Sequence, residues 1–157
     1  MSITTTIESL GHKAEGVAII DGQRVFVPFT LPGEQVAITV DGNRGALAEV
    51  LTPASNRIEP FCPHFGTCGG CQLQHMDAES YAAFKTELVE AALRQAGLEA
   101  RVERFITAHG AGRRRATLHA RKDRAGYMQL RSHDLLDLDA CPILVPALKR
   151  APDIARA

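Results

Sequence analysis

Residues 16–51 read GVAIIDGQRVFVPFTLPGEQVAITVDGNRGALAEVL, and the punctuation of that stretch decides the architecture. Two apolar runs, 17–20 and 24–27, flank Asp21-Gly22, a pair that supplies the positive φ a tight hairpin turn wants. Leu31-Pro32-Gly33-Glu34 then suits a type II turn, with proline fixing φ at the second position and glycine tolerating positive φ at the third. Residues 34–40 and 45–51 bracket Asp41-Gly42 in the same way. Short strands at this spacing predict a small closed β-barrel, the scaffold on which oligonucleotide-binding folds are built. The pattern is common to other small barrels and does not choose among them.

Beyond residue 52 the pattern changes twice. Residues 53–60 form a turn-rich linker bounded by Pro53 and Pro60. From 77 to 97 the period is helical: Tyr81, Phe84, Leu88 and Ala92 fall on one face, Asp77 is placed to N-cap, and Gly97 is placed to end the helix. This helix is expected to pack the preceding loop against the next sheet and is assigned no chemistry. Residues 113–140 return to a period of two. Arg113, Arg115, Thr117, His119 and Arg121 point to one side of a strand, with Ala116, Leu118 and Ala120 on the other. Tyr127, Gln129 and Arg131 repeat the polar face after a turn at 123–126, and Leu136, Leu138 and Ala140 continue an apolar side up to Cys141. The expected class is α+β, mainly β. A barrel (1–56) leads into a cysteine loop (57–76), followed by a helix (77–97), a basic hairpin (113–131) and an incomplete antiparallel sheet within 77–157.

With 157 residues the chain holds one ordinary domain or two small ones, and small ones are marginal without a covalent or metal staple. Composition is that of a globular protein, 45% hydrophobic and 23% charged, with a formal net charge of zero. The zero conceals segregation. Residues 104–131 carry eight bases against the single acid Asp123, whereas residues 1–76 carry seven acids against four bases. A basic strand face interspersed with His119 and Tyr127 offers phosphate contacts and stacking surfaces. It also fits a solvated face whose salt partners are the N-terminal acids. Residues 1–10 lack a basic start and a long apolar run, and no stretch approaches membrane-spanning length, so a cytoplasmic protein without a membrane partner is expected. In that compartment four cysteines point to metal ligation or redox chemistry before disulfides.

Cys62, Cys68 and Cys71 are spaced C-x5-C-x2-C, and Cys141 stands alone after a gap of 69 residues. Thiolates select zinc or iron–sulfur clusters over hard cations. Zinc ribbons present paired CxxC knuckles, and three clustered cysteines plus a remote one is a common way to wrap a cubane cluster; spacing alone leaves both open. Pro63 and Pro142, each following a cysteine, stiffen the ligand loops. Gly69-Gly70 lets the backbone turn closely around a bulky core. His64 and His75 flank the loop as substitute ligands of lower rank than the four thiols.

Several segments in order along the chain resemble the uracil-C5 RNA methyltransferases of the RumA type: GHKAEGVA at 11–18, VFVPFTLPGE at 25–34, CPHFGTCGGCQLQH at 62–75, Arg113 to Ala116, and Cys141 to Leu144. The resemblance implies that residues 1–56 form a TRAM domain, an oligonucleotide-binding-like barrel. It also implies that Cys62, Cys68, Cys71 and Cys141 hold a [4Fe-4S] cluster, and that 23S ribosomal RNA is the substrate, since the tRNA-specific branch lacks this cysteine set. The radical methylthiotransferases also carry TRAM domains, but their CxxxCxxC spacing is absent here. Residues expected to touch RNA are Lys13, Arg113, Arg115, His119, Arg121, Lys122, Arg124, Tyr127 and Arg131.

Family members also carry a doubly wound domain that binds S-adenosylmethionine and supplies a nucleophilic cysteine and a general base. The chemistry needs both, because C5 of uracil becomes nucleophilic only after a thiolate adds at C6, and the C5 proton must then leave. Here the cluster claims every cysteine. The one glycine-spaced candidate for a cofactor loop, Gly110-Ala111-Gly112, runs into three arginines instead of a helix start. The expectation is a truncated N-terminal portion with no catalytic residue, inactive alone. The competing reading is a stand-alone RNA-binding module stabilised by zinc.

Overall fold

The computed structural model describes residues 2–107 and 112–157. They form two compact units, Met1–Glu59 with His75–Phe105, and Pro60–Gln74 with Ile106–Ala157.

In the first unit, β1 (Ser2–Thr6), β2 (Ser9–Leu10), β3 (Gly16–Ile20), β4 (Gln23–Val27), β5 (Gln35–Asp41) and β6 (Arg44–Thr52) build one sheet in the order β1-β5-β6-β4-β3-β2. Neighbours are antiparallel except β4 and β6, which touch through one parallel pair, Phe26 and Arg44. The two outer strands belong to one run of chain broken only at Ile7 and Glu8. Ile7 N–H donates to Glu34 O (2.9 Å) and Glu8 N–H to Val17 O (2.8 Å), so this run bonds β5 at one end and β3 at the other. The sheet thereby curls around its own core.

The turns are those the sequence dictates. Asp21 and Gly22 both take positive φ (50° and 77°), and Gly33 sits at 86° where Glu34 N–H bonds back to Leu31 O. Alternation directs Val25 and Val27 of β4, and Val36 and Ile38 of β5, into a core completed by Ile7 and Ala18. Each such side chain contributes about 1.5–3 kcal/mol by leaving water. Gly16 is required by close approach, since a Cβ there would stand 2.0 Å from Thr30 Oγ1. β1 and β2 were not expected, although the Thr-rich, Ile-punctuated run 2–7 has the β-branched composition of a strand.

Under the barrel lies a buried ion pair. Glu34 is wholly inaccessible, and its carboxylate accepts from Arg57 at both oxygens and from Leu31 N–H (2.8 Å) and Ala54 N–H (3.3 Å). His75 is equally buried, edge-on to Phe29. Residues 75–77 return to the linker through Ile58 N–H to His75 O and Asp77 N–H to Asn56 O. The helix α1 (Ala78–Gln95) follows, with Asp77 accepting from Ser80 N–H at 2.7 Å and Gly97 at φ 75° closing it. Tyr81, Phe84 and Leu88 are half-buried, Ala92 is exposed, and no residue of α1 is fully buried. The sequence reading gave this helix the task of packing the cysteine loop against the following sheet; its contacts group it with the barrel instead.

The second unit holds a three-stranded antiparallel sheet, β7 (His119–Arg121), β8 (Arg124–Met128) and β9 (Leu135–Asp137), in chain order, and a short terminal helix α2 (Ala151–Arg156). The strand expected from residue 113 becomes regular only at His119. The apolar side also differs: Leu135 and Leu138 are buried while Leu136 is half-buried and Ala140 exposed, because β9 ends at Asp137. Gly110 and Ala111 of the glycine-spaced candidate lie outside the described residues. Among the described residues no helix is long and apolar enough to cross a membrane.

Candidate functional site

Hydrogen bonds of the second unit bring the remote cysteine to the loop. Residues 62–68 wind through a turn in which Phe65 N–H bonds Cys62 O (3.0 Å) and Cys68 N–H bonds His64 O (2.8 Å). The chain then lies along the end of β8, with Gly69 N–H to Met128 O (3.1 Å), Leu130 N–H to Thr67 O (2.9 Å), and Cys68 bridged to Gln129. From the other side, Arg113 N–H donates to Ile143 O and Val145 N–H to Arg113 O, both at 3.0 Å. Buried Leu144 anchors that segment, and Cys141 closes a turn to it. Cys62, Cys68, Cys71 and Cys141 consequently line a single cleft, with His64, Gln74, Arg113 and Tyr127. Gly69 acts by close approach and not by left-handed backbone: a Cβ there would meet Met128 O at 3.1 Å, and the positive φ of this loop falls on Gly66.

All four thiols are half-buried and none is in a disulfide. Burial pushes the Cys68 and Cys71 thiols up; a Gly70 N–H opposes this at Cys68, the Gln74 side chain at Cys71, and the Arg113 guanidinium at both. Tyr127 is driven up to about 12, by burial first and then by Cys141 beside its hydroxyl. Such a cleft favours neutral thiols until a cation enters, and thiolate ligation releases their protons. Among the described residues, no three His, Cys, Asp or Glu side chains form a group that could hold a metal ion.

The proposed RNA contacts divide. Lys13, Arg115, His119, Arg121, Lys122 and Arg131 are exposed, with His119 and Arg121 on β7 and Lys122 in the β7–β8 turn. Arg124 is tied to Leu135 O across the sheet. Arg113 is exposed yet lines the cysteine cleft. Tyr127 also departs from the expected stacking face, because its ring is half-buried and its hydroxyl lies in the cleft. His75 belongs to the barrel unit, where burial first and then Arg57 press its pKa down to about 4. Sequence reading missed Gln74, whose Oε1 accepts from Cys62 N–H at 3.2 Å. Its place three residues after Cys71 was the available signal.

The barrel matches a family model, the TRAM domain, over residues 3–45. A Caulobacter vibrioides protein named an uncharacterized RNA methyltransferase is 43% identical over 96% of this chain. Proteins from Pectobacterium atrosepticum and Halomonas elongata, both named 23S rRNA (uracil(1939)-C(5))-methyltransferase RlmD, are each 39% identical over 94% and 90% of it. The chain is a TRAM-domain relative of the RNA methyltransferases. It spans 38%, 36% and 32% of the length of these three relatives, respectively. The TRAM match covers β1 to the start of β6, and the similarity to the relatives runs on through both units.

Proposed function

We propose that this chain is the RNA-recognising, cluster-holding portion of a uracil-C5 RNA methyltransferase that acts on 23S ribosomal RNA in the cytoplasm. The observation that carries the reading is the convergence of Cys62, Cys68, Cys71 and Cys141 on one cleft across 69 intervening residues. The donor set fits the group in kind: soft sulfur ligands, flanked by the cation Arg113. When bound, a [4Fe-4S] cluster supplies metal–thiolate bonds that fasten Cys141 to the 62–71 loop. The protein's own part is to hold these sulfurs by the β8 ladder and the Arg113–Leu144 bridge, leaving His119, Arg121 and Lys122 exposed on the same small sheet for phosphate. The TRAM barrel and the names of the relatives support RNA as partner. With every thiol committed to the cleft, the attacking thiolate and the S-adenosylmethionine site are assigned to no residue of this chain.

The test is anaerobic purification with analysis for iron and acid-labile sulfide, together with binding to 23S ribosomal RNA fragments against tRNA. Brown protein with about four irons per chain that prefers the ribosomal fragment is expected. Colourless protein holding one zinc would overturn the cluster and favour the zinc-stapled module. Equal affinity for tRNA would overturn the substrate.

A further inference from the structure

Two buried donors at the cysteine cleft have no hydrogen-bond acceptor in good geometry, Gln74 Nε2 and Tyr127 Oη. Buried donors are nearly always satisfied, and one left alone is destabilising. The orientation of the Gln74 amide is fixed by its other end, since Oε1 takes the Cys62 N–H. Its amino group is thus directed to the side of Cys71, while the Tyr127 hydroxyl faces Cys141. A third donor is already engaged: Gly70 N–H points at Cys68 Sγ at 3.4 Å. A neutral thiol is a weak acceptor, whereas a thiolate is a strong one. The three donors therefore look underused only while the sulfurs keep their protons.

We propose that Gln74 and Tyr127 are positioning residues that donate N–H···S and O–H···S hydrogen bonds to the Cys71 and Cys141 thiolates of the cluster, as Gly70 does to Cys68. The inference rests on the cluster reading above. Donors to sulfur withdraw charge from the cluster and favour its reduced form, so they set its potential as well as its retention. The arrangement is uneven. Cys71 and Cys141 take side-chain donors, one from the loop and one from β8, so the pair that joins the two ends of the site is the pair that substitution can tune.

The experiment is anaerobic purification of the 157-residue chain as wild type, Tyr127→Phe, Gln74→Leu and Gln74→Glu, with mediated redox titration followed at the visible absorption of the cluster. Tyr127→Phe removes one hydroxyl and preserves packing; Gln74→Glu keeps the acceptor for Cys62 N–H. A midpoint more negative than wild type is expected in every variant, with loss of iron to a chelator about tenfold faster. Should Gln74→Leu fail to fold, Tyr127→Phe and Gln74→Glu carry the test. Iron-loaded variants whose midpoints equal that of wild type would overturn the donor assignment while leaving the cluster reading intact. Wild-type protein without iron would overturn both.

Discussion

The two units solve the same problem of size with different means. The barrel buries Ile7, Ala18, Val25, Val27, Val36 and Ile38 against one another, with Ile20, Leu47 and Val50 packed outside them. In the second unit the buried apolar side chains among the described residues are Ala125, Leu135, Leu138, Leu144 and Pro152, its strands run three to five residues, and its loops share the cysteine cleft. A core of that size does not offset the entropy of ordering some sixty residues. The difference teaches that apolar burial accounts for one unit, whereas in the other the proposed cluster would supply bonds that a small core cannot replace.

The largest way to break the comparison is to remove a sulfur. Cys68→Ser or Cys141→Ser should abolish the metal centre and, with it, hydrogen-exchange protection across residues 119–137, while amides of β3 to β6 keep theirs. Protection retained in β8 after loss of the metal would mean that the second unit stands on its own packing. Parallel loss in the barrel would mean that the contrast drawn here is false.

Within the barrel the corresponding weak point is electrostatic. Burial acts to raise the Glu34 pKa, but hydrogen bonds from Arg57, Leu31 and Ala54 outweigh it and the carboxyl stays below its ordinary range. Arg57→Leu leaves that charge buried and unmatched, with an expected cost of about 3–5 kcal/mol in denaturant melts. Replacing both partners, Glu34→Leu with Arg57→Leu, should recover most of it. A single substitution costing less than about 1 kcal/mol would show the pair to be ornamental.

The same contrast explains what was legible in the sequence. Turns at Asp21-Gly22 and Leu31–Glu34, alternation through Val25, Val27, Val36 and Ile38, and the capped helix are local signals, written in neighbouring residues. β1 and β2 were missed because residues 2–10 pair with partners far along the chain, and their Thr-rich alternation is weak. At the cleft, the spacing of the cysteines singled them out as candidate ligands, but nothing local distinguishes Tyr127 or Arg113 from the exposed basic face around them. Their direction depends on the ladder between residues 67–69 and 128–130 and on the pairing of Arg113 with Leu144. Strand 113–121 was overextended because alternation predicts a face even where no partner strand follows.

A smaller effect separates the units by pH. His75 is buried, and its pKa of about 4 lies below the 6.5 of an unfolded histidine. The unfolded chain therefore binds more protons between those values. Stability rises with pH across that window and is lost as pH falls from 6.5 toward 4, by about 3 kcal/mol if the site stays dry. Glu34 adds its own loss as pH falls below the 4.5 of its unfolded value. Melting of the barrel followed from pH 7.5 to 5 should show the histidine slope alone, and His75→Leu should flatten it. An unchanged slope in that variant would assign the acid sensitivity elsewhere.

The smallest expected effect tests whether the basic residues of the second unit serve one purpose or two. Arg115, Arg121 and Lys122 are exposed and lie outside the cleft, whereas Arg113 lines it and opposes the rise that burial imposes on the Cys68 and Cys71 thiols. Changing the first three together to glutamine should reduce the log–log salt slope of RNA binding by about 2, as the loss of three phosphate contacts to single strands requires. Iron content should not move. Arg113→Gln should do the reverse, leaving the slope nearly intact and making the cluster easier to lose, because the cation opposite the thiolates is gone. If Arg113 changes the salt slope as much as each of the others and leaves iron untouched, its place is on the RNA face. The cleft would then hold its sulfurs without a countercharge.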